Sequence, residues 1–200
     1  MRISLLGGGA WGTALAIAFA EAHAVTLWTR ESDVAADLVS GRENRRFLPG
    51  YRLPAQVAIA TDIAAAVADA ELLIVATPIA GLRPTAEKLR ELGCTVPLLW
   101  VCKGFEAGSG KLPHQVVADV MGADARCGAL SGPSFAEEVA AGQPTAIALA
   151  SRDAALARET ARQLHGGSLR IYANDDLVGV EVGGAVKNVL AIATGVCDGL

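Results

Sequence analysis

Three glycines near the amino terminus, Gly7, Gly9 and Gly12, have the spacing of a turn that cradles a diphosphate. The apolar run before them, Ile3–Leu6, predicts a buried strand, and Thr13–Glu21 after them predicts a helix rich in alanine and leucine. Gly7 allows a tight turn, Gly9 lets the backbone approach a phosphate, and Gly12 lets the helix pack close to the strand. The unpaired N–H groups at the start of the helix would then face the anion.

The second strand of this unit ends in residues that bear on which nucleotide binds. Val25–Thr29 predicts that strand and completes a βαβ unit. An NAD site often has an acidic residue here for the ribose 2′-hydroxyl, but this sequence reads Trp28-Thr29-Arg30. Because Arg30 could stack on adenine or pair with a 2′-phosphate, we predict that NADP is accepted, with NAD as the other candidate. The alternative is a solvated arginine at the strand end.

Further polar residues follow predicted strands, and ligands of an open α/β sheet sit at the carboxyl ends of its strands. Ala76-Thr77-Pro78 is expected to line the ribose and the nicotinamide. Lys103 is interpreted either as a crevice residue or as an ordinary loop lysine. Ser134 and Glu137 fit the S-x-x-E pattern of a capping box, and a capped helix start in the crevice would also be an anion site.

Lys187 stands in an otherwise apolar predicted helix, just after two glycines. A lysine in such a place most often extends to water at the edge of the helix. If it faces the crevice instead, desolvation would lower its pKa and allow it to act as a general base. No metal site is predicted, and the histidines are interpreted as structural: His23, His114 and His165.

The elements that must position these residues alternate between strand and helix along the chain. This alternation predicts an α/β fold, a Rossmann-like, mostly parallel, doubly wound sheet. Gly41–Ala55 is expected to be a long polar loop, either a lid or an outer excursion. The predicted strands are Arg2–Leu6, Val25–Thr29, Val57–Ala60, Leu72–Ala76, Leu98–Cys102, Gly128–Leu130, Thr145–Leu149 and Leu169–Tyr172. The predicted helices after the first are Glu31–Ser40, Asp62–Ala68, Ala86–Leu92, Leu112–Met121, Ala136–Ala141 and Ala154–Leu164.

The pattern changes after Tyr172. Asn174-Asp-Asp176 can cap a helix, and from Leu177 the chain runs apolar to Leu200. We therefore assign residues 1–173 to an NAD(P)-binding domain and residues 174–200 to the first helix of an all-helical substrate domain. That second domain would be incomplete, so we expect the chain to be truncated.

Composition indicates a cytoplasmic protein and excludes several classes. The 200 residues are 52% hydrophobic and carry a net charge of −4, without the basic run of a nucleic-acid-binding protein. The four cysteines lack a C-x-x-C pair and are predicted to be reduced and mostly buried. The glycine cluster interrupts what could be a signal peptide. Glu181 and Lys187 argue against a membrane span at Leu177–Val196.

Four motifs together resemble the bacterial NAD(P)-dependent sn-glycerol-3-phosphate dehydrogenase family. They are Gly-Gly-Gly-Ala-Trp-Gly-Thr-Ala-Leu-Ala, Cys102-Lys103-Gly104, Leu-Ser-Gly-Pro-Ser-Phe-Ala-Glu-Glu and Glu181-Val-Gly-Gly-Ala-Val-Lys-Asn, and the match runs through the whole chain in order. The resemblance implies reversible reduction of dihydroxyacetone phosphate to sn-glycerol 3-phosphate, the backbone precursor of phospholipids.

The resemblance also implies roles for single residues. Lys187 would accept the proton, with Asn188 beside it on the substrate, and Lys103 would touch both nucleotide and substrate. The other implied substrate contacts are Gly132 and Ser134. The implied cofactor contacts beside the glycine turn are Ala10, Trp11, Arg30 and Ala136. The family often has serine where this chain has Ala10, but a backbone N–H can still serve there.

Two alternatives stay open on the sequence alone. In the family, an aspartate partner and an Arg-Asn pair that grips the substrate phosphate lie in the helical domain after the position of Leu200, so the 200-residue chain could be a nucleotide-binding module without catalysis. A reductase of another hydroxy or keto acid, of the ketopantoate type, is the other alternative, although the Ser-Gly-Pro-Ser-Phe-Ala-Glu motif argues against it. The oligomeric state is open, with a homodimer as one option.

Overall fold

The computed structural model describes residues 1–199, apart from the side chain of Asn188. An eight-stranded sheet with helices on both faces confirms the predicted α/β, mostly parallel, doubly wound fold. The strands are β1 (Arg2–Leu6), β2 (Ala24–Trp28), β3 (Glu43–Asn44), β4 (Leu48–Arg52), β5 (Ala58–Ala60), β6 (Leu72–Val75), β7 (Leu98–Trp100), β8 (Cys127–Ser131), β9 (Thr145–Ala150) and β10 (Leu169–Asn174). The helices are α1 (Ala10–Phe19), α2 (Ser32–Gly41), α3 (Ile63–Val67), α4 (Ile79–Glu91), α5 (Pro113–Met121), α6 (Ala136–Ala140), α7 (Ala154–Leu164) and α8 (Leu177–Asp198).

The strand order in the large sheet is β10-β9-β8-β7-β6-β1-β2-β5. All neighbouring pairs are parallel except β8 and β9, which run antiparallel. The chain order reverses between β1 and β6, because β1 pairs with β2 on one side and with β6 on the other. Ligands of doubly wound sheets bind at the carboxyl ends of the strands beside such a reversal. The glycine turn that follows β1 therefore lies where a ligand is expected.

The core consists of two apolar layers, one on each face of the sheet. Leu72 and Ile74 of β6 pack in the layer that contains α1, and Leu73 and Val75 pack in the layer that contains α4 and α5. All four side chains are buried, since successive residues of a strand point to opposite faces. This is why β6 and its neighbours read as continuous apolar runs rather than as alternating ones.

The segment predicted to be a polar loop is partly a built element. Within residues 41–55, β3 and β4 pair as an antiparallel hairpin that is separate from the large sheet. Leu48 and Leu53 of this segment are buried in the core. The prediction of a lid or outer excursion is therefore wrong for this part, and it failed because the hairpin's few apolar residues are spaced among polar ones.

The carboxyl-terminal helix α8 occupies the predicted place, and Leu200 lies outside the described residues. Its first half packs against β8 and β9. Across residues 1–199 no single helix has both the length and the hydropathy of a membrane-crossing segment; Leu177–Lys187 and Val189–Asp198 reach them only when taken together across a 49° bend. The prediction of mostly buried cysteines is wrong, because Cys94, Cys102 and Cys127 are half-buried and Cys197 is exposed on α8.

Candidate active site at the carboxyl edge of the sheet

The glycine turn has the geometry that its sequence predicted. Gly7 has a φ of +136°, and a β-carbon there would lie 2.7 Å from the carbonyl oxygen of Ala76. A β-carbon at Gly12 would overlap the carbonyl oxygen of Gly7, whereas one at Gly9 would meet nothing within 4 Å. Gly9 is the N-cap of α1 and leaves the helix without a side-chain cap. The N-terminus of α1 therefore presents N–H groups to an open surface, which suits a diphosphate.

Gly8, which the sequence analysis passed over, is also required by the packing. A β-carbon at Gly8 would lie 2.6 Å from the side chain of Thr29 at the end of β2. The turn therefore packs closely against the ends of β2 and β6 at Gly7 and Gly8. A third consecutive glycine was the only sequence signal for this contact.

The end of β2 carries both a cation and a carboxylate. The Arg30 side chain is exposed, and its Nε lies 3.0 Å from Oε1 of Glu31. The Glu31 carboxylate also accepts a hydrogen bond of 2.8 Å from the Thr29 hydroxyl. Glu31 is the N-cap of α2, consistent with the prediction that it begins the next helix. Arg30 is thus free of any buried structural contact and faces solvent at the strand end.

Two buried hydroxyl groups near the turn lack a hydrogen-bond partner within residues 1–199. They are Oγ1 of Thr77, which directly follows β6, and Oγ of Ser134, which precedes α6. A buried hydroxyl without a partner costs free energy, so such a group points to a missing ligand or water. Thr77 lies within the segment predicted to line the cofactor.

The predicted capping box at Ser134 and Glu137 is wrong by one residue. α6 has Phe135 as its N-cap, and the Glu138 carboxylate accepts a hydrogen bond of 3.1 Å from the Phe135 backbone N–H. The capping box was predicted at the wrong residue because both Ser134-x-x-Glu137 and Phe135-x-x-Glu138 fit the spacing where two glutamates are adjacent. As a result, the Ser134 hydroxyl is not used by the cap. Ala136, the first residue of α6, packs against the core beside α1.

Lys103 and Lys187, which come from distant parts of the sequence, line one cleft of about 410 Å³. Nζ of Lys103 donates a hydrogen bond of 3.0 Å to the carbonyl oxygen of Gly132. Burial, and then the charge of Lys187, lower the pKa of Lys103 below its ordinary value. Nζ of Lys187 lies 4.9 Å from the ring centroid of Phe135.

A second cavity lies beside this cleft and reaches Trp11 at the start of α1. Lys103 and Gly132 also line this narrow cavity, whose wall includes Ser134. The close approach of α8 to this region needs Gly184, where a β-carbon would lie 3.0 Å from Oγ of Ser131. Trp11, a predicted cofactor contact, thus lines the same cavity as the predicted substrate contacts Gly132 and Ser134. The side chain of Asn188 lies outside the described residues.

A buried polar network, which the sequence analysis missed, holds α8 in place. Oε1 of Glu181 accepts hydrogen bonds from Nε1 of Trp100, at 3.1 Å, and from the backbone N–H of His114, at 2.9 Å. Its Oε2 contacts Nδ1 of the same histidine. Burial raises the pKa of Glu181, and the hydrogen bond and charge of His114 oppose this rise. Glu181 therefore joins the helix of Lys187 to β7, the strand that leads to Lys103.

Comparison with known proteins assigns the chain to a family. The model described as NAD-dependent glycerol-3-phosphate dehydrogenase N-terminus matches residues 2–157, and the corresponding C-terminus model matches residues 176–200. Relatives named glycerol-3-phosphate dehydrogenase [NAD(P)+] include those of Dechloromonas aromatica, 76% identical, and Aromatoleum aromaticum, 54% identical. Each alignment covers 100% of this chain and 61% of the relative, so the chain spans about three fifths of their length.

Solved structures agree with this assignment. The crystal structure of glycerol-3-phosphate dehydrogenase from Coxiella burnetii is 38% identical with a TM-score of 0.89, over 99% of this chain and 61% of that one. The Plasmodium falciparum glycerol-3-phosphate dehydrogenase is 26% identical with a TM-score of 0.86, over 100% of this chain and 59% of that one. The resemblance read from the four sequence motifs is therefore confirmed, and the chain belongs to the NAD-dependent glycerol-3-phosphate dehydrogenase family.

Proposed function

We propose that the whole protein transfers a hydride between NAD(P)H and dihydroxyacetone phosphate, forming sn-glycerol 3-phosphate, and catalyses the reverse reaction. The observation that carries this proposal is the meeting of Lys103 and Lys187 in one cleft, while Lys103 also lines a small cavity beside Trp11 at the start of α1. An anionic substrate and a proton-transfer step both call for cations at this place. The names of the relatives support the same activity.

The dinucleotide is proposed to lie across the glycine turn. Its diphosphate would accept hydrogen bonds from the backbone at Gly9 and Ala10, while Gly7 and Gly12 keep the approach open. The nucleotide would also contact Trp11, Arg30, Lys103 and Ala136. When bound, NADP(H) or NAD(H) accepts or supplies the hydride. The uncapped N-terminus of α1 and the open surface at Gly9 support this placement.

The substrate is proposed to lie between the two lysines. Lys103 and Gly132 would hold it from the β7 and β8 sides, and the unpartnered Ser134 hydroxyl would gain a hydrogen bond when substrate arrives. Asn188 is proposed to bind beside Lys187. The ammonium group of Lys103 also balances the negative charge of a phosphate ester.

Lys187 is proposed as the group that moves the proton. In the oxidation of glycerol 3-phosphate, neutral Lys187 takes the proton from the hydroxyl on C2 as the hydride leaves that carbon. In reduction, the ammonium form polarises the carbonyl oxygen and returns the proton to it. Each direction therefore moves one hydride and one proton and leaves a ketone or an alcohol.

The domain division is part of the same proposal. Residues 1–173 would form the cofactor domain and residues 174–200 the start of the helical substrate domain. A homodimer and a cytoplasmic location stay predictions.

Replacing Lys187 with methionine in the whole protein tests this function. We expect NADPH binding to stay nearly unchanged, while NADPH oxidation by dihydroxyacetone phosphate falls by roughly 10²–10⁴-fold, the usual contribution of a general acid or base. Lys88→Met, at an exposed lysine on α4, is the matched control and should keep full turnover. Retained turnover in the Lys187 variant would remove this residue from the mechanism. If the wild type turned over ketopantoate faster than dihydroxyacetone phosphate, the proposed substrate would be wrong and ketopantoate would take its place.

A further inference from the structure

We propose that Asn44, on the β3–β4 hairpin, is a positioning residue that turns the backbone of the glycine turn toward the diphosphate. The proposal rests on the proposed cofactor site and adds to it a residue from outside the glycine motif. Asn44 lies more than thirty positions from the turn in sequence, but its side chain is completely buried beneath it. Neither its position nor its type marks it as a cofactor residue.

Every polar atom of the Asn44 side chain is satisfied. Nδ2 donates hydrogen bonds to the carbonyl oxygen of Gly8, at 2.8 Å, and to Oγ1 of Thr13, at 2.7 Å. Oδ1 accepts a hydrogen bond of 3.1 Å from the backbone N–H of Phe47. The reversed amide would place two oxygens against each other at Gly8, so these partners fix the orientation of the amide.

The hydrogen bond to Gly8 determines the direction of a neighbouring N–H group. In a trans peptide unit, the carbonyl group and the following N–H point to opposite sides. Since Asn44 holds the Gly8 carbonyl toward the protein interior, the N–H of Gly9 must point outward, to the surface proposed for the diphosphate. A glycine-rich turn would otherwise let this peptide unit rotate, because glycine imposes few limits on φ and ψ.

Asn44 also acts on the next peptide unit through Thr13. The Thr13 hydroxyl, which accepts from Asn44, donates a hydrogen bond of 3.0 Å to the carbonyl oxygen of Gly9. The backbone N–H of Thr13 donates to the same oxygen. The chain of hydrogen bonds from Asn44 therefore fixes both carbonyl groups that precede the first free N–H groups of α1.

The hairpin that carries Asn44 is anchored firmly enough to serve as a support. Arg42 donates hydrogen bonds to the carbonyl oxygens of Pro54 and Val57, which closes the base of the segment. Arg46 forms an ion pair of 2.9 Å with Asp33 of α2. Arg42 and Arg46 thus bind to the protein itself, and the segment functions as a brace beneath the turn.

Titration with a nucleotide and its nucleoside tests the proposal, because ADP carries a diphosphate and adenosine does not. We expect Asn44→Ala and Asn44→Asp to weaken ADP binding about tenfold, the value of one or two lost orienting hydrogen bonds, and to leave adenosine binding unchanged. Asn44→Asp keeps the shape and the acceptor for Phe47, but it presents an oxygen to the Gly8 carbonyl. Since both ligands need folded protein, partial unfolding would lower both affinities equally. The ratio of ADP affinity to adenosine affinity therefore reports the effect on the glycine turn alone.

Kinetics and a control variant complete the test. In the whole protein, the Asn44 variants should raise the KM for NADPH about tenfold and keep the wild-type kcat at saturating NADPH. Asn174→Ala, at an exposed asparagine on β10, should change neither the ratio of ADP affinity to adenosine affinity nor the KM for NADPH. An unchanged ADP-to-adenosine ratio in both Asn44 variants would overturn the proposal. If the wild type bound ADP no better than adenosine, the proposed cofactor site itself would fail instead.

A measurement on the wild type does not depend on how the variants fold. The hydrogen bond from Nδ2 of Asn44 to the Gly8 carbonyl should give a scalar coupling between that nitrogen and the carbonyl carbon in an NMR spectrum. Added ADP should shift the amide signal of Gly9 strongly and keep this coupling. Absence of the coupling would overturn the proposal.

Discussion

At the scale of single residues, the candidate site is marked by groups that the fold leaves unsatisfied. Ser134 is buried, yet its hydroxyl has no partner among the residues that the structure describes. Ser151, which is equally buried, donates a hydrogen bond of 2.6 Å to the carbonyl oxygen of Cys127 and accepts one from Asp153. The two serines thus contrast a buried hydroxyl that the described fold leaves without a partner with one that stabilises the fold.

This contrast gives a prediction for serine-to-alanine variants. Ser134→Ala should keep the free energy of unfolding or raise it by about 1 kcal/mol, because it removes an unpaired buried hydroxyl. The same variant should raise the KM for dihydroxyacetone phosphate about tenfold through the lost substrate hydrogen bond. Ser151→Ala, the matched control, should lower the free energy of unfolding by about 1–2 kcal/mol and leave the KM unchanged. Urea unfolding and steady-state kinetics measure both quantities, and an unchanged KM in Ser134→Ala would exclude it from the substrate site.

At the scale of elements, the position of α8 relative to β7 decides whether the two lysines share a cleft. Glu181 fixes that position, since it takes hydrogen bonds from Trp100 on β7 and from His114 on α5. A buried carboxylate with several donors is stable only while those donors stay in place. Removing it leaves the indole N–H and the histidine without acceptors.

Replacing Glu181 should therefore be costly. We expect Glu181→Ala to lower the free energy of unfolding by about 3 kcal/mol, because it breaks a buried network by removing one partner. Glu181→Gln should lower the free energy of unfolding by less, since its amide oxygen can still accept hydrogen bonds from Trp100 and from the His114 backbone. Glu159→Ala on α7 removes an exposed pairing with Arg162 and should lower the free energy of unfolding far less than Glu181→Ala. Equal losses at Glu159 and Glu181 in chemical unfolding would show that the buried network is not a stabilising junction.

The sequence predicted the elements more completely than the contacts between them. The strands of the large sheet were predicted to within a few residues, because apolar runs and glycine turns are local signals. The β3–β4 hairpin was missed, and with it the role of Asn44, since burial of a polar residue depends on partners far away in sequence. Glu181 was read only as a charge that argues against a membrane span, for the same reason. The pairing of Lys103 with Lys187 follows from the sheet order, which periodicity does not reveal.

At the scale of the whole molecule, the half-buried thiols of Cys102 and Cys127 link stability to alkaline pH. Burial, and then the charge of Glu181, raise the pKa of Cys102 to about 12 and that of Cys127 to about 11. In the unfolded chain a cysteine thiol has a pKa of about 8.5. As pH rises, the unfolded state therefore releases its thiol protons at a lower pH than the folded state does. The stability that these thiols contribute is therefore complete at neutral pH and is lost as pH rises toward their folded-state pKa values.

The double variant Cys102→Ala/Cys127→Ala should accordingly flatten the alkaline decline of the free energy of unfolding. Denaturant titrations between about pH 8 and pH 11 span the range where folded and unfolded thiols differ in protonation. Cys197→Ala, at an exposed cysteine, should keep the wild-type slope. A double variant with the same slope as Cys197→Ala would show that the thiols of Cys102 and Cys127 do not titrate differently in the folded and unfolded states.

The glycine turn and the two lysines are proposed to form one site for a dinucleotide and a phosphate ester. The most direct measurement is a crystal structure of the whole protein with NADP⁺ and sn-glycerol 3-phosphate. We expect the diphosphate at the N-terminus of α1, against Gly9 and Ala10, with Nζ of Lys187 about 3 Å from the C2 hydroxyl. A diphosphate bound elsewhere, or a Lys187 side chain turned to solvent beside bound substrate, would contradict this proposal.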